Sequence, residues 1–141
     1  KLYDPWQSIE HTVVDLGDDL FTRGRPHPMI DHRLRNERII QEAKDPQTAV
    51  ILIDVVLGYG SHENPAGEMM QSITEARNLV GAHEPVFIGF VCGTVNDPQI
   101  LSKQEEILSE VGVLLMESNA QAARLAGDII LMLDTGSGKI A

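Results

Sequence analysis

A nearly unbroken apolar run extends from Thr48 to Leu57, T-A-V-I-L-I-D-V-V-L, with Asp54 as its one charged interruption. A run this short, rich in Val and Ile and bounded by turn residues, predicts a strand buried on both faces. Such strands belong to parallel sheets covered by helices on each side. Gly58-Tyr59-Gly60-Ser61 ends the strand, and the pattern predicts a helix from about Pro65. Ligands of open α/β sheets bind beyond the carboxyl ends of strands, so Gly58 to Asn64 is a candidate site wall.

The rest of the pattern alternates between strand and helix. Lys1 to Glu10 reads as a lead-in arm or linker remnant, and residues 11–141 as one domain. His11 to Leu16, centred on Val13-Val14, predicts a short first strand. The connection Gly17 to Met29 carries two each of Gly, Pro, Asp and Arg; a loop of roughly a dozen residues is often functional. Asp31 is placed to cap a helix whose buried stripe is Leu34, Ile39 and Ile40, and Asp45-Pro46 stops it. After the central run, Met69, Met70, Ile73, Ala76, Leu79 and Val80 recur at helical spacing, and Gly81 ends that helix. Pro85 to Cys92 predicts a strand and Gly93 to Pro98 a turn-rich loop. Gln99 to Val111 predicts a helix with Ile100, Leu101, Ile107 and Leu108 inward. Val113 to Met116 predicts a strand, and Ser118 or Asn119 caps a last helix running towards Leu133.

This alternation predicts an α/β fold, a flavodoxin-like three-layer sandwich whose parallel sheet has about four strands in the order 2-1-3-4. The switch crevice then falls between the ends of strands one and three. Gly17-Asp18-Asp19 and Gly93-Thr94 line it, with Gly58-Tyr59-Gly60 alongside.

The chain has 141 residues, enough for one ordinary domain with a core. Its formal net charge of −10 argues against an electrostatic grip on nucleic acid. No apolar stretch reaches the roughly 20 residues that span a bilayer, and no signal peptide is visible. The single cysteine makes no internal disulfide, which fits a reducing cytoplasm. The start at Lys1 rather than Met suggests a piece of a longer protein.

Candidate chemistry is spread over several loops. Arg23 and Arg25 in the long connection suit a carboxylate, a phosphate or carbamoyl phosphate, against the plain alternative of a solvated loop. Gly58, Tyr59, Gly60, Ser61, Gly93 and Thr94 complete the candidate anion-binding set. Asp54 and His62 are the candidates for a catalytic role. An ionisable group midway along a buried run needs a partner, so Asp54 is either paired or functional. Asp15, Asp18, Asp19 and Asp54 could gather as a carboxylate cluster near strand ends; more simply, Asp18 and Asp19 are solvated turn residues. The five histidines show no zinc-binding spacing, and no metal ligand set is assigned. Cys92 reads as an inert buried thiol. Thr135-Gly136-Ser137-Gly138-Lys139 resembles a phosphate-binding loop but has Leu133 in place of the first glycine, and is set aside.

Taken together, D-L-G-D-D, P-H-P-M-I-D, A-V-I-L-I-D-V-V-L-G-Y-G-S-H, F-V-C-G-T and S-N-A-Q-A-A-R-L-A resemble the C-terminal part of FdrA-family proteins, relatives of succinyl-CoA synthetase. The resemblance covers about His11 to Leu133. It implies a flavodoxin-like CoA-ligase domain that follows an N-terminal CoA-binding domain. CoA would then be held through that missing region, and no cofactor is identifiable in this chain. It also implies an acyl-CoA synthetase-like or carbamoyltransferase activity on a small anionic substrate, since some members are tied to carbamoyl transfer with oxamate. The family's ligases carry a phosphorylated histidine in a G-H-A-G-A loop after the third strand. Here Gly93 to Gln99 has no histidine, so no phosphohistidine is expected. The alternative is a non-catalytic docking or oligomerisation domain that holds other domains or subunits of a larger enzyme.

Overall fold

A computed structural model describes residues 2–136. In chain order its elements are α1 (Asp19–Thr22), α2 (Arg33–Ala43), β1 (Val50–Val56), α3 (Pro65–Val80), β2 (Val86–Cys92), α4 (Leu101–Glu110), β3 (Leu114–Met116) and α5 (Asn119–Gly136). A single 3₁₀ turn, Gly81–His83, joins α3 to β2. The sheet is parallel, with three strands in the order β1-β2-β3. Val50 to Val56 pair in register with Val86 to Cys92, and Ile88 to Phe90 with Leu114 to Met116. Helices flank this sheet: α2 packs on α3, α3 on α4, and α5 lies against all three strands. The architecture is α/β and consistent with a flavodoxin-like fold.

The core lies where side chains of β1 and β2 meet the helices. Ile53, Val55, Phe87 and Val91 pack with Ile39 and Ala43 of α2 and with Met69, Ile73 and Ala76 of α3. Ile88, on the alternate face of β2, is also fully buried, as a central strand requires. Local chemistry sets the ends of α3. Asn64 Oδ1 accepts the Gly67 N–H at 3.2 Å, Pro65 occupies the first turn, and Gly81 closes the helix at φ 58°.

Three expectations are corrected. Among the described residues there is no fourth strand. His11 to Leu16 is unpaired, Val13 is 99% exposed, and Asp15 bends the chain by accepting the Gly17 N–H at 2.8 Å. Two β-branched residues between polar neighbours offer too little apolar surface to hold a strand in place. The order 2-1-3-4 falls with it, because β1 pairs directly with β2 and nothing separates them. Asp54 is exposed rather than buried. β1 is an edge strand with one well-covered face, on which Ile53, Val55 and Leu57 are buried, while Leu52 and Asp54 lie on the other face, which α5 shields only in part. Smaller shifts occur on the helices. The cap of α2 falls on His32, with Asp31 accepting the Arg33 N–H at 3.1 Å, and Ile100 is 57% exposed at the cap of α4 instead of inward.

Candidate functional site

The loop beyond β1 is shaped by two glycines. Gly58 has φ 130°, a conformation that side chains rarely adopt. Across from it, a Cβ on Gly93 would lie 2.7 Å from the Leu57 side chain, so only glycine lets β2 leave the sheet there. Leu57 N–H donates to the Cys92 carbonyl at 2.9 Å, which keeps the two strand ends together. The loop after β2 is tightened by Asp97, whose carboxylate accepts the Thr94 N–H at 2.6 Å.

Two buried glutamines hold the loop in place. The Gln99 amide donates to the carbonyls of Gly58 at 2.7 Å and His62 at 3.0 Å, and its oxygen accepts the Gly58 N–H at 3.0 Å. Gln104 accepts the Ala66 N–H at 2.9 Å and donates to Asn64 Oδ1 and to the Gln99 carbonyl, both at 3.2 Å. Gly58 to Ala66 is thus tied to the start of α4 rather than free in solvent. Sequence reasoning missed both residues.

Within this loop, His62 is fixed on both sides. Its backbone N–H donates to the Met29 carbonyl at 2.8 Å, and its Nδ1 accepts the Asn64 N–H at 3.1 Å. With Nδ1 accepting, the neutral ring carries its proton on Nε2. The His32 ring lies 4.9 Å away, centre to centre. His32 is 4% exposed, and burial, with the Arg35 guanidinium and then His62 nearby, lowers its pKa to about 4 against the hydrogen bond with the Met29 backbone. Arg35 is also largely removed from water, which lowers its pKa to about 10. Its Nη1 donates to the Asp54 carbonyl at 3.3 Å.

The structure thus brings Asp54, Gly58, Ser61 and His62 into one neighbourhood with His32 and Arg35. Gly93 and Thr94 stand beside it at the end of β2, and Tyr59 is 93% exposed at the loop tip. Arg23 and Arg25 lie elsewhere. Arg25 lines a cavity of about 300 Å³ with Leu16, Phe21, Asp31, Arg33 and Glu37. Arg33 in that wall is already ion-paired with Asp31, and that pairing holds the Asp31 pKa down to about 2. Arg23 is exposed and lines no part of this cavity. Asp15 and Asp18 satisfy local backbone N–H groups, of Gly17 at 2.8 Å and Leu20 at 2.9 Å, and Cys92 is exposed rather than buried. Among the described residues no group of three or more His, Cys, Asp or Glu side chains is placed to hold a metal ion. None of the described helices is long and apolar enough to cross a membrane. The Thr135 to Lys139 string lies outside the described residues from position 137 onward.

The segment before α1 is anchored on α2. Arg38 pairs with Glu42 and donates to the Pro5 carbonyl at 3.1 Å and to Ser8 Oγ at 2.8 Å, and Trp6 meets Phe21 edge-on at 5.0 Å.

Compared with known proteins, residues 3–129 match the CoA-ligase family model. The chain is 44% identical over 132 residues to the uncharacterized protein YahF of Escherichia coli K12, an alignment that covers 92% of this chain and 26% of that protein. The chain therefore spans about a quarter of the length of that relative. A parallel α/β sheet, a loop pinned at its strand ends and a family match over nearly the whole described length agree: the chain belongs to the CoA-ligase family.

Proposed function

We propose that this chain is the CoA-ligase domain of an acyl-CoA synthetase-like, FdrA-type enzyme that transfers an acyl or carbamoyl group to or from a small anionic substrate. The observation that carries the reading is the His62 imidazole, held at the carboxyl end of β1 with its Nδ1 already engaged at 3.1 Å. In that state Nε2–H is a fixed donor. It suits the carbonyl oxygen of a transferred group, whose negative charge grows as the nucleophile adds. Gln99 keeps the donor in place by bonding the His62 carbonyl at 3.0 Å.

This reading assigns CoA to no cavity among the described residues. The 300 Å³ cavity is small for it, and its wall sets Arg25 and Arg33 beside two carboxylates, Glu37 and Asp31, the latter already paired with Arg33. Asp18, in the turn before α1, uses its carboxylate on the Leu20 N–H at 2.9 Å, a group that a phosphate would otherwise need. CoA would have to be held by another part of the enzyme.

The test is turnover in the native protein. His62→Ala should lower kcat about 10²–10³-fold with little change in KM, the size of loss seen when one donor to a developing oxyanion is removed. His62→Gln, which restores an N–H donor, should recover part of it. Unchanged kcat in both variants would remove His62 from the reaction.

A docking role is the second reading. It is favoured by exposed apolar side chains on the open face of β1 and on α5, namely Leu52, Leu131, Met132 and Leu133. An isolated domain that stays monomeric at high concentration, in a native enzyme whose assembly is unchanged by Leu131→Glu, would count against it.

A further inference from the structure

The loop after β1 is held from two sides, and the two sides differ in kind. Towards α4 it is held by glutamine amides, which do not titrate. Gln99 takes both the N–H and the carbonyl of Gly58 and reaches the His62 carbonyl, and Gln104 takes the Ala66 N–H. Towards α2 the middle of the loop rests on histidine. The His62 N–H donates to the Met29 carbonyl at 2.8 Å, and the His62 ring lies 4.9 Å from that of His32, inclined by 41°.

A proton on His32 has no welcome in this arrangement. The residue is 4% exposed and caps the N-terminus of α2, where a cation meets the positive end of the helix. On α2 itself the ring faces Arg35, which is also largely buried and draws on the Asp54 charge of β1. From the loop after β1 it faces His62, while Glu63 beside that residue is exposed. From the segment before α2 it faces Asp31, whose carboxylate is already paired with Arg33. Of the described residues of α3, which packs on α2, none acts on the charge of the ring.

We propose that the His32–His62 contact is an acid-released latch, in which neutral rings hold the loop against α2 and a proton on His32 frees residues 59–63 to swing away. Gly58 and Ala66 act as the hinges, because Gln99 and Gln104 keep them tied to α4. The swing breaks the His62–Met29 bond and the single Gln99 bond to the His62 carbonyl. It leaves the core untouched, since α2 enters the core through Ile39 and Ala43, further along the helix. The loop is also the least anchored cover of the ring: Tyr59, Gly60 and Glu63 are already exposed. The latch stands on these contacts and is independent of the transfer reading, but its release would carry Ser61 and His62 away from α2.

The sign follows from the two states of the ring. With the latch closed, burial, then Arg35 and His62, hold the His32 pKa to about 4 against the Met29 backbone hydrogen bond and Asp31, whereas a freed ring has the ordinary 6.5. The open state takes the proton first, so closure is fully favoured above about 6.5 and weakens as pH falls towards about 4. Amide exchange of the native protein at pH 7 and pH 5, corrected for the intrinsic rate, reads the opening. Protection of the His62 amide should fall roughly twentyfold between the two, while Ala66 and Val86 to Cys92 keep theirs. His32→Gln, which cannot take the proton, should flatten that change. Arg35→Gln, which removes a cation beside the ring, should reduce it. Protection lost at Val86 to Cys92 in step with His62 would show unfolding of the whole domain in place of a latch. A His62 amide unmoved between the two pH values, or a change that persists undiminished in both variants, would also overturn the proposal.

Discussion

Replacing Gln99 by leucine is expected to destabilise the domain by about 2–4 kcal/mol, since each buried polar group left unpaired costs about 1–3 kcal/mol. Leucine keeps the volume and removes all three bonds that Gln99 makes to Gly58 and His62. The Gly58 N–H and the two carbonyls would then turn to solvent or stay unpaired. Either way the loop that carries Ser61 and His62 would no longer be held against α4. Urea unfolding should show a lower midpoint with an unchanged slope. Amide exchange should speed up over 58–62 and leave Val86 to Cys92 protected. Gln99→Glu keeps the oxygen that accepts the Gly58 N–H but loses the donor, so it should fall between the two. A Gln99→Leu protein as stable as the wild type, with 58–62 still protected, would show that the loop is held by other means.

Acid should weaken the fold through His32. Its pKa is about 4 in the folded chain against 6.5 when unfolded, so the unfolded state takes up a proton first. Stability therefore rises with pH across that window. His32 contributes its full stabilisation above about 6.5 and loses it as pH falls towards about 4. A shift of this size corresponds to about 1–3 kcal/mol once water relaxation around the ring is allowed for. Burial of the ring sets it first, Arg35 and then His62 lower it further, and the hydrogen bond with the Met29 backbone and the Asp31 carboxylate oppose. Asp31, held down to about 2 by Arg33, loses its own contribution only at lower pH, below its usual 3.8. The difference between wild type and His32→Gln, measured by urea unfolding at several pH values, isolates the histidine. A difference that stays constant from pH 7 to pH 4 would contradict its burial as a neutral ring.

Much of the fold was legible because its strongest patterns were long. The runs at Val50–Val56 and Val86–Cys92 and the Met69, Ile73 and Ala76 stripe carried enough apolar surface to fix element type and partner layer. His11 to Leu16 carried too little, and the strand order inferred from it failed for the same reason. Asp54 was misplaced because an apolar run does not say whether its strand is central or at an edge.

The loop Gly58 to Asn64 was singled out as a candidate from turn chemistry alone. Arg35, His32 and Asn36 were not, although a signal existed. Following the buried stripe of α2 backwards from Ala43 through Ile39 leads to Asn36, Arg35 and His32 at steps of three or four residues. Polar residues that continue an apolar stripe mark a buried polar patch. Gln99 and Gln104 left no such trace, because a glutamine at the start of a helix looks like any solvated one. Arg23 and Arg25 were chosen for their charge in an acidic chain; Arg25 shares its cavity with Asp31 and Glu37, and Arg23 is exposed.

The claim that the small anion binds beyond the carboxyl end of β1 is tested most directly by mapping amide exchange of the native protein with and without saturating oxamate. Added protection is expected over 58–64 and the first turn of α2, with residues 16–28 unchanged. Protection confined to the cavity lined by Leu16, Phe21 and Arg25, with 58–64 unaffected, would contradict it.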